Sequence, residues 1–267
     1  MTSVETFVET LTRNVIEYSS LFNERMLCFM AQYENYAPYS VGIDSVETVN
    51  AIFRKVYQFM AMGLILTALA DYFTASNRFM LELLYTSRAP MIIIAVAELG
   101  LVIWISAGIN KLSASAARNI FFVYSILNGL LCSSVLLVYT QESIAKAFLT
   151  SAGMFGAMSV YGLFTKRDIS GWGSFLHMGL FGLIIGMVIN MFMGSSTAEL
   201  TISIVGIVIF LGLTAYDTAK IKALASSYDS FDGEATEKIA VIGALMLYLD
   251  FINLFLYLVR LFGKHRD

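Results

Sequence analysis

The sequence predicts an all-α integral membrane protein with seven spanning helices. Of its 267 residues, 58% are hydrophobic and 14% are charged, and the mean hydropathy is +0.72. A water-soluble surface does not carry such proportions. A spanning helix needs about 20 mostly apolar residues, and charge-poor segments of that length occur seven times. The expected spans are Val56–Phe73, Met91–Gly108, Ile120–Tyr139, Ile144–Phe164, Trp172–Met193, Leu200–Ala223 and Lys238–Phe262.

The chain divides into an acidic N-terminal segment, residues 1–50, and a membrane domain, residues 51–267. The first segment holds seven acidic residues against two arginines and lacks the basic start and apolar run of a secretory signal. Its apolar residues recur at helical spacing, which indicates an amphipathic helix on the rim of the bundle or at a partner contact. The short spacers after it join the seven spans into one bundle.

Basic residues at the span ends predict a cytoplasmic N-terminus. With that orientation, nine Lys or Arg residues flank the inner ends of the spans and five flank the outer ends. The lack of a signal or an organelle address suits a bacterial inner membrane, although a eukaryotic internal membrane would give a similar sequence.

Composition also limits the function classes. A net charge of −3 leaves no basic patch for nucleic acid. Two cysteines and two histidines lie too far apart for a metal or redox motif. No phosphate-binding loop motif of an ATPase occurs. We therefore expect no cofactor, no nucleic-acid partner and no enzymatic activity.

Small residues predict how two of the spans pack. In lipid, small faces let helix backbones approach for dispersion contacts. The expected faces are Gly153, Gly156 and Ser159 in the fourth span and Gly179, Gly182 and Gly186 in the fifth.

Three carboxylates lie well inside the spans: Glu98, Asp217 and Asp250. A charge at mid-membrane costs about 2.5 to 3.5 kcal/mol on insertion scales, so each is a functional candidate. Asp71 and Arg260 lie nearer to helix ends, where they can reach the headgroup region.

The last span carries a polar stripe of Asp250, Asn253, Tyr257 and Arg260, at i, i+3, i+7 and i+10. A polar stripe in so apolar a bundle faces inward, so we expect this helix to be central. Asp217 and Asp250 should lie about 12 Å and about 20 Å from the same membrane face, so a shift of about one turn brings them level.

Two such carboxylates would share a proton and titrate in two steps. When deprotonated they would offer oxygen ligands to a hard cation such as calcium. The alternative is that each aspartate only forms a hydrogen bond to a neighbouring helix.

Several segments of the sequence resemble the Bax inhibitor-1 family of seven-helix membrane proteins. The most specific is "GALMLYLDFINLFLYLVRLFG" in the last span, and the similarity runs from about Arg54 to Gly263. The others are "AYDTAKIK" in the sixth span, "LNGLLCSSVLLVYT" in the third, "KVYQFMAMGLILTALADYF" in the first and "AELGLVIWIS" in the second.

The resemblance implies a central last helix and a pH-sensitive calcium leak, with Asp217 and Asp250 as the sensor. It also matches Glu98 to the second-helix carboxylate of the family. Together with Asn253 and Tyr257 of the polar stripe, Glu98 is expected to line or support the pore. Bacterial relatives have a latch arginine at the inner end of the second helix. Here the nearby basic residues are Lys111 and Arg118, and lysine lacks the bidentate fork of arginine.

The sequence therefore predicts a calcium leak channel gated by an aspartate pair, with calcium as the permeant ion. An interaction protein that regulates other membrane proteins without transport is the alternative. A proton-coupled transporter would use the same carboxylates. An intramembrane protease is disfavoured, because the sequence around Asp217 and Asp250 lacks a GxGD motif.

Overall fold

A computed structural model describes residues 45–87, 89–109, 111–227 and 233–264 of the chain, and these residues form eight α-helices. The helices are α1 (Ser45–Ser76), α2 (Arg78–Tyr85), α3 (Ala89–Gly108), α4 (Ala114–Val138), α5 (Gln141–Phe164), α6 (Trp172–Met193), α7 (Ser196–Ser227) and α8 (Gly233–Phe262). Seven of them are long and apolar enough to cross a membrane, all except α2. The predicted all-α membrane fold is confirmed.

The first helix begins earlier than the sequence analysis placed it. Because α1 starts at Ser45, the boundary expected at residue 50 lies inside this helix. The predicted amphipathic helix of the N-terminal segment lies outside the described residues.

The short helix α2 was not predicted from the sequence. Asn77 caps it, because its side-chain oxygen accepts hydrogen bonds from the backbone N–H groups of Phe79 and Met80, at 3.0 and 3.3 Å. The Tyr85 hydroxyl lies 2.8 Å from the Ser133 hydroxyl of α4. The short helix therefore links α1 to α3 and packs against α4.

The last helix forms the centre of the bundle, as predicted. In its most apolar window 89% of the residues are buried, against 22% to 56% in the other six spans. It packs against α7, α1, α5 and α4, whereas the outer helices expose large apolar side chains such as Phe175, Ile185 and Phe192. These exposed side chains suit contact with lipid chains.

The predicted small-residue faces were partly wrong. A Cβ atom at Gly153, Gly156 or Gly182 would meet no atom within 4 Å. A Cβ at Gly179 would lie 2.9 Å from the Ile209 side chain and one at Gly186 would lie 3.8 Å from that of Ile202, so these two glycines do face α7. Sequence spacing identified small residues but not the direction in which each one points.

Two other glycines permit the closest backbone approaches. A Cβ at Gly129 of α4 would overlap the Thr67 carbonyl oxygen of α1. A Cβ at Gly162 of α5 would overlap the Ala215 carbonyl oxygen of α7, two residues before Asp217. The second contact fixes the helix that carries one of the predicted sensor residues.

Polar contacts show which helix ends meet. Arg118, near the start of α4, forms an ion pair of 2.9 Å with Glu237, near the start of α8. Lys222, near the end of α7, donates a hydrogen bond of 2.8 Å to the Leu163 carbonyl at the end of α5. The Lys264 backbone N–H, just after α8, donates to the Ser143 hydroxyl at the start of α5.

Candidate functional site

Asp250 lies on the central helix of the bundle. Its side chain is fully buried, and neither carboxyl oxygen has a partner among the described residues. Burying a polar group without a hydrogen bond is costly, and burying an unpaired charge is more costly still. Such an arrangement reduces stability and therefore points to a functional role.

Asp217 is the acidic neighbour of Asp250 on the adjacent helix. It lies on α7, is 5% exposed, and acts electrostatically on Asp250. The structure therefore brings the two predicted sensor residues together from adjacent helices. It does not join them by a hydrogen bond, since both Asp250 oxygens are unpartnered. The two carboxyl groups are therefore not in the direct hydrogen-bonding contact that sharing a proton would require.

The backbone around Asp217 is held on the α5 side. The Thr218 hydroxyl donates to the Thr214 carbonyl at 2.7 Å and lies 3.5 Å from the Ser159 hydroxyl of α5. Gly162 allows α5 to approach α7 at the same level. These contacts position the Asp217 carboxylate near α8.

Asn253 and Tyr257 of the predicted polar stripe are also buried, and Arg260 is half-buried. Asn253 donates a hydrogen bond of 3.0 Å to the Leu249 carbonyl of its own helix, and its side-chain oxygen has no partner in the described chain. The Tyr257 ring packs on Gly206 of α7, where a Cβ atom would lie 2.6 Å from the ring. Arg260 lies over the same ring, 5.6 Å from its centroid. The opposite face of α8 is buried too, because other helices surround it.

Glu98 belongs to a second polar cluster. Its side chain is fully buried on α3 and acts electrostatically on Tyr124 of α4 and Tyr248 of α8. Tyr248 donates to the Asn128 side-chain oxygen at 3.2 Å. Tyr248 and Asp250 are two residues apart on one helix, so they point about 200° apart. Glu98 therefore lies on the side of α8 away from the aspartate pair.

The predicted latch residues are not the cations beside Asp217. Lys111 is exposed to solvent, and Arg118 pairs with Glu237. The basic side chains that act electrostatically on Asp217 are Lys220, one turn further along α7, and His177 of α6. Lys111 and Arg118 lie at the ends of helices that pack away from α7, which explains the difference.

The pair does not by itself provide a closed metal site. No group of three or more His, Cys, Asp or Glu side chains able to hold a metal occurs in the part of the chain that the structure describes. Calcium prefers six to eight oxygen ligands. Asp217 and Asp250 by themselves supply only a few of these.

Sequence reasoning missed one cluster of hydrogen-bonded side chains and one histidine. The cluster consists of Tyr248, Asn128 and Thr67, which lie in apolar segments. A neutral polar side chain in such a segment does not reveal its role when its partner lies on a distant helix. His177 was dismissed because the two histidines are far apart in the sequence. Its position near Asp217 depends on how α6 packs against α7.

The similarity to known proteins extends over the whole membrane domain. The family described as "Inhibitor of apoptosis-promoting Bax1" matches residues 49–267. The chain is 46% identical over 212 residues to "Inner membrane protein YbhL" of Escherichia coli K12, which covers 79% of this chain and 91% of the relative. It is 42% identical over 213 residues to "Uncharacterized protein RP147" of Rickettsia prowazekii, covering 80% and 89% of the two chains. A Borreliella burgdorferi protein is 41% identical over 218 residues, covering 82% and 94%.

Proposed function

This chain belongs to the Bax inhibitor-1 family of membrane proteins, and on that premise we propose that it is a pH-sensitive calcium leak channel gated by Asp217 and Asp250. The proposal places it in a bacterial inner membrane with its N-terminus on the cytoplasmic side. It assigns the aspartates a role in gating and cation passage, with no chemical reaction and no resident cofactor.

The observation that carries the proposal is the unpartnered Asp250 carboxyl group on the central helix. It is fully buried and has no hydrogen bond in the described chain, and a second carboxylate, Asp217, acts on it from α7. A pair of this kind responds strongly to a change of one proton, because charges interact more strongly in a low dielectric. It is therefore suited to sensing pH.

The mechanism follows from the charges around the pair. At neutral or higher pH, the charge on the pair is offset by the nearby ammonium group of Lys220, and α7 stays against α8. Uptake of a proton changes that balance and loosens α7 from α8. Calcium then moves down its gradient, and the membrane potential adds about 2.3 kcal/mol per elementary charge per 100 mV to inward cation flow.

Calcium flux into liposomes that contain the purified protein tests the proposal. We expect flux that is greater at acidic than at mildly alkaline pH, and we expect Asp217→Asn and Asp250→Asn to flatten this dependence. The matched control is Glu142→Gln, whose side chain is 78% exposed at the start of α5 and should keep the native pH profile.

Two outcomes would overturn the proposal. Flux no greater than in empty liposomes at every pH would favour an interaction protein that conducts no ions. Calcium movement that requires counterflow of a second solute would favour a proton-coupled transporter.

A further inference from the structure

The short helix α2 lies between two spanning helices at one face of the membrane. It has eight residues, which extend about 12 Å and cannot cross a bilayer. The α1 helix ends at Ser76 and α3 begins at Ala89, so the chain turns back into the membrane within this segment. A helix in such a place lies near the boundary between lipid and water.

The inner face of α2 is fixed to the spanning helices. Leu84 is buried, and the half-buried Tyr85 packs against the cluster formed by Met91 of α3 and Leu131 of α4. The Tyr85 hydroxyl also lies 2.8 Å from the Ser133 hydroxyl of α4. These contacts determine which face of α2 points away from the bundle.

The same contacts set the depth of α2 along the membrane normal. The Ser133 residue precedes the end of α4, at Val138, by about 8 Å along the helix axis. The residues from 135 to 138 are all apolar, so Ser133 lies within the apolar part of the span. The end of α2 is therefore held at the edge of the hydrocarbon region.

The outer face of α2 carries two parallel rows of side chains. Arg78 and Glu82 form one row, and they make an ion pair of 2.9 Å with each other. Phe79 and Leu83 form the other row, and they are 69% and 52% exposed. The rows are one residue apart, or about 100° around the helix. One row can therefore face water while the other faces hydrocarbon.

We propose that α2 is an interfacial helix whose Phe79 and Leu83 side chains insert into the lipid leaflet at the end of α1. The row of Arg78 and Glu82 then faces water. An amphipathic helix in this position buries its apolar side chains at the boundary between the headgroups and the acyl chains. The exposed Tyr72 and Phe73 side chains near the end of α1 lead from the lipid-facing surface of that span to α2.

Phospholipid fits this face better than a protein partner does. The two charged side chains already pair with each other, so they leave no net charge to complement a partner. Phe79 and Leu83 cover far less than the roughly 800 Å² that each partner buries in a stable protein complex. Two apolar side chains are nevertheless enough to seat a helix that α1 and α3 already hold at the membrane surface.

Tryptophan fluorescence in liposomes tests the insertion of α2. The sequence has two tryptophans, Trp104 and Trp172, and replacing both by Phe gives a background without tryptophan. Phe79→Trp in this background should lose most of its fluorescence to phospholipids brominated near the headgroup end of the acyl chains, and little to aqueous iodide. Arg78→Trp is the matched control, one residue away on the charged row, and should show the opposite pattern. Leu83→Trp reports on the apolar row independently of Phe79.

Two results would overturn the inference, whether or not the protein conducts calcium. Quenching of Phe79→Trp and Leu83→Trp by iodide to the same extent as Arg78→Trp would place the apolar row in water. Quenching of these two variants by neither agent would show that protein covers the row, as a second copy of the chain would.

Discussion

The Tyr248 hydroxyl of α8 lies 2.6 Å from the Thr67 hydroxyl of α1, at the centre of the bundle. The Thr67 hydroxyl also lies 2.9 Å from the Ser125 carbonyl oxygen of α4, and the Tyr248 hydroxyl lies 3.2 Å from the Asn128 side-chain oxygen of the same helix. One side of the central helix is therefore fixed to α1 and α4. The aspartate pair lies on the other side, where no hydrogen bond joins Asp250 to its neighbours in the described chain. In the proposed channel, gating motion should accordingly occur between α7 and α8.

Removing the Tyr248 hydroxyl should loosen the fixed side. We expect Tyr248→Phe to reduce the free energy of unfolding by about 1 kcal/mol, since hydrogen bonds between membrane helices contribute about that much. Reversible unfolding of the purified protein in mixed micelles measures this change. Tyr161→Phe, at a side chain 37% exposed, is the control, and an equal effect in both variants would contradict the assigned role of Tyr248.

The contact between α5 and α7 should not tolerate a methyl group at Gly162. Gly162→Ala places a Cβ atom against the Ala215 carbonyl and 2.9 Å from the Thr218 Cβ, and overpacking of this kind typically costs about 1 to 3 kcal/mol. Gly156→Ala on the same helix meets no atom within 4 Å and should be neutral or slightly stabilising, by up to about 1 kcal/mol. Thermal unfolding of the two variants compares them directly. Equal stability would show that the backbones are not in close contact at Gly162.

The ion pair between Arg118 and Glu237 should make a small but measurable contribution. Its side chains are 36% and 26% exposed, so solvent screening limits the coupling to about 0.2 to 1 kcal/mol. A double-mutant cycle with Arg118→Gln and Glu237→Gln isolates this term. The exposed pair Arg78 and Glu82, at 92% and 63%, should give the weaker coupling. The reverse order would argue against the contact between the starts of α4 and α8.

Replacing Asp250 by an apolar residue should stabilise the fold while it removes function. We expect Asp250→Leu to raise the free energy of unfolding by about 1 kcal/mol or more, because an unpartnered buried carboxyl group is removed. Glu142→Leu, on the surface, should leave the free energy of unfolding nearly unchanged. Unfolding in detergent and calcium flux are measured on the same preparations. A strongly destabilised Asp250→Leu protein would indicate that Asp250 has a structural partner instead of a gating role.

Hydrophobic length and helical periodicity located six of the seven spans to within six residues, because each span needs an apolar segment long enough to cross the bilayer. The first helix begins at Ser45, well before the expected Val56. The predicted ends of the helices were less accurate. The helix α7 continues to Ser227 and α8 begins at Gly233, beyond the apolar cores that the sequence marks. The extra turns are polar, so hydropathy does not include them.

The site was predictable only in part. Asp217 and Asp250 stood out because carboxylates are rare in apolar spans, and the stripe on the last helix placed Asp250 inward. The basic partner was not predictable in the same way. Lys111 was chosen by its position along the chain, but Lys220 and His177 are the basic side chains that act on Asp217.

The sequence by itself determined the membrane class, the seven spans, the central last helix and the two carboxylates, since these depend on the composition and periodicity of single segments. The tertiary structure decided which side chains meet. Only the packing of α6 on α7 brings His177 near Asp217, and only the crossing of α1, α4 and α8 joins Thr67 to Tyr248. Such contacts depend on the rotation and tilt of whole helices, which arise from close packing between neighbours and are not encoded in any one segment.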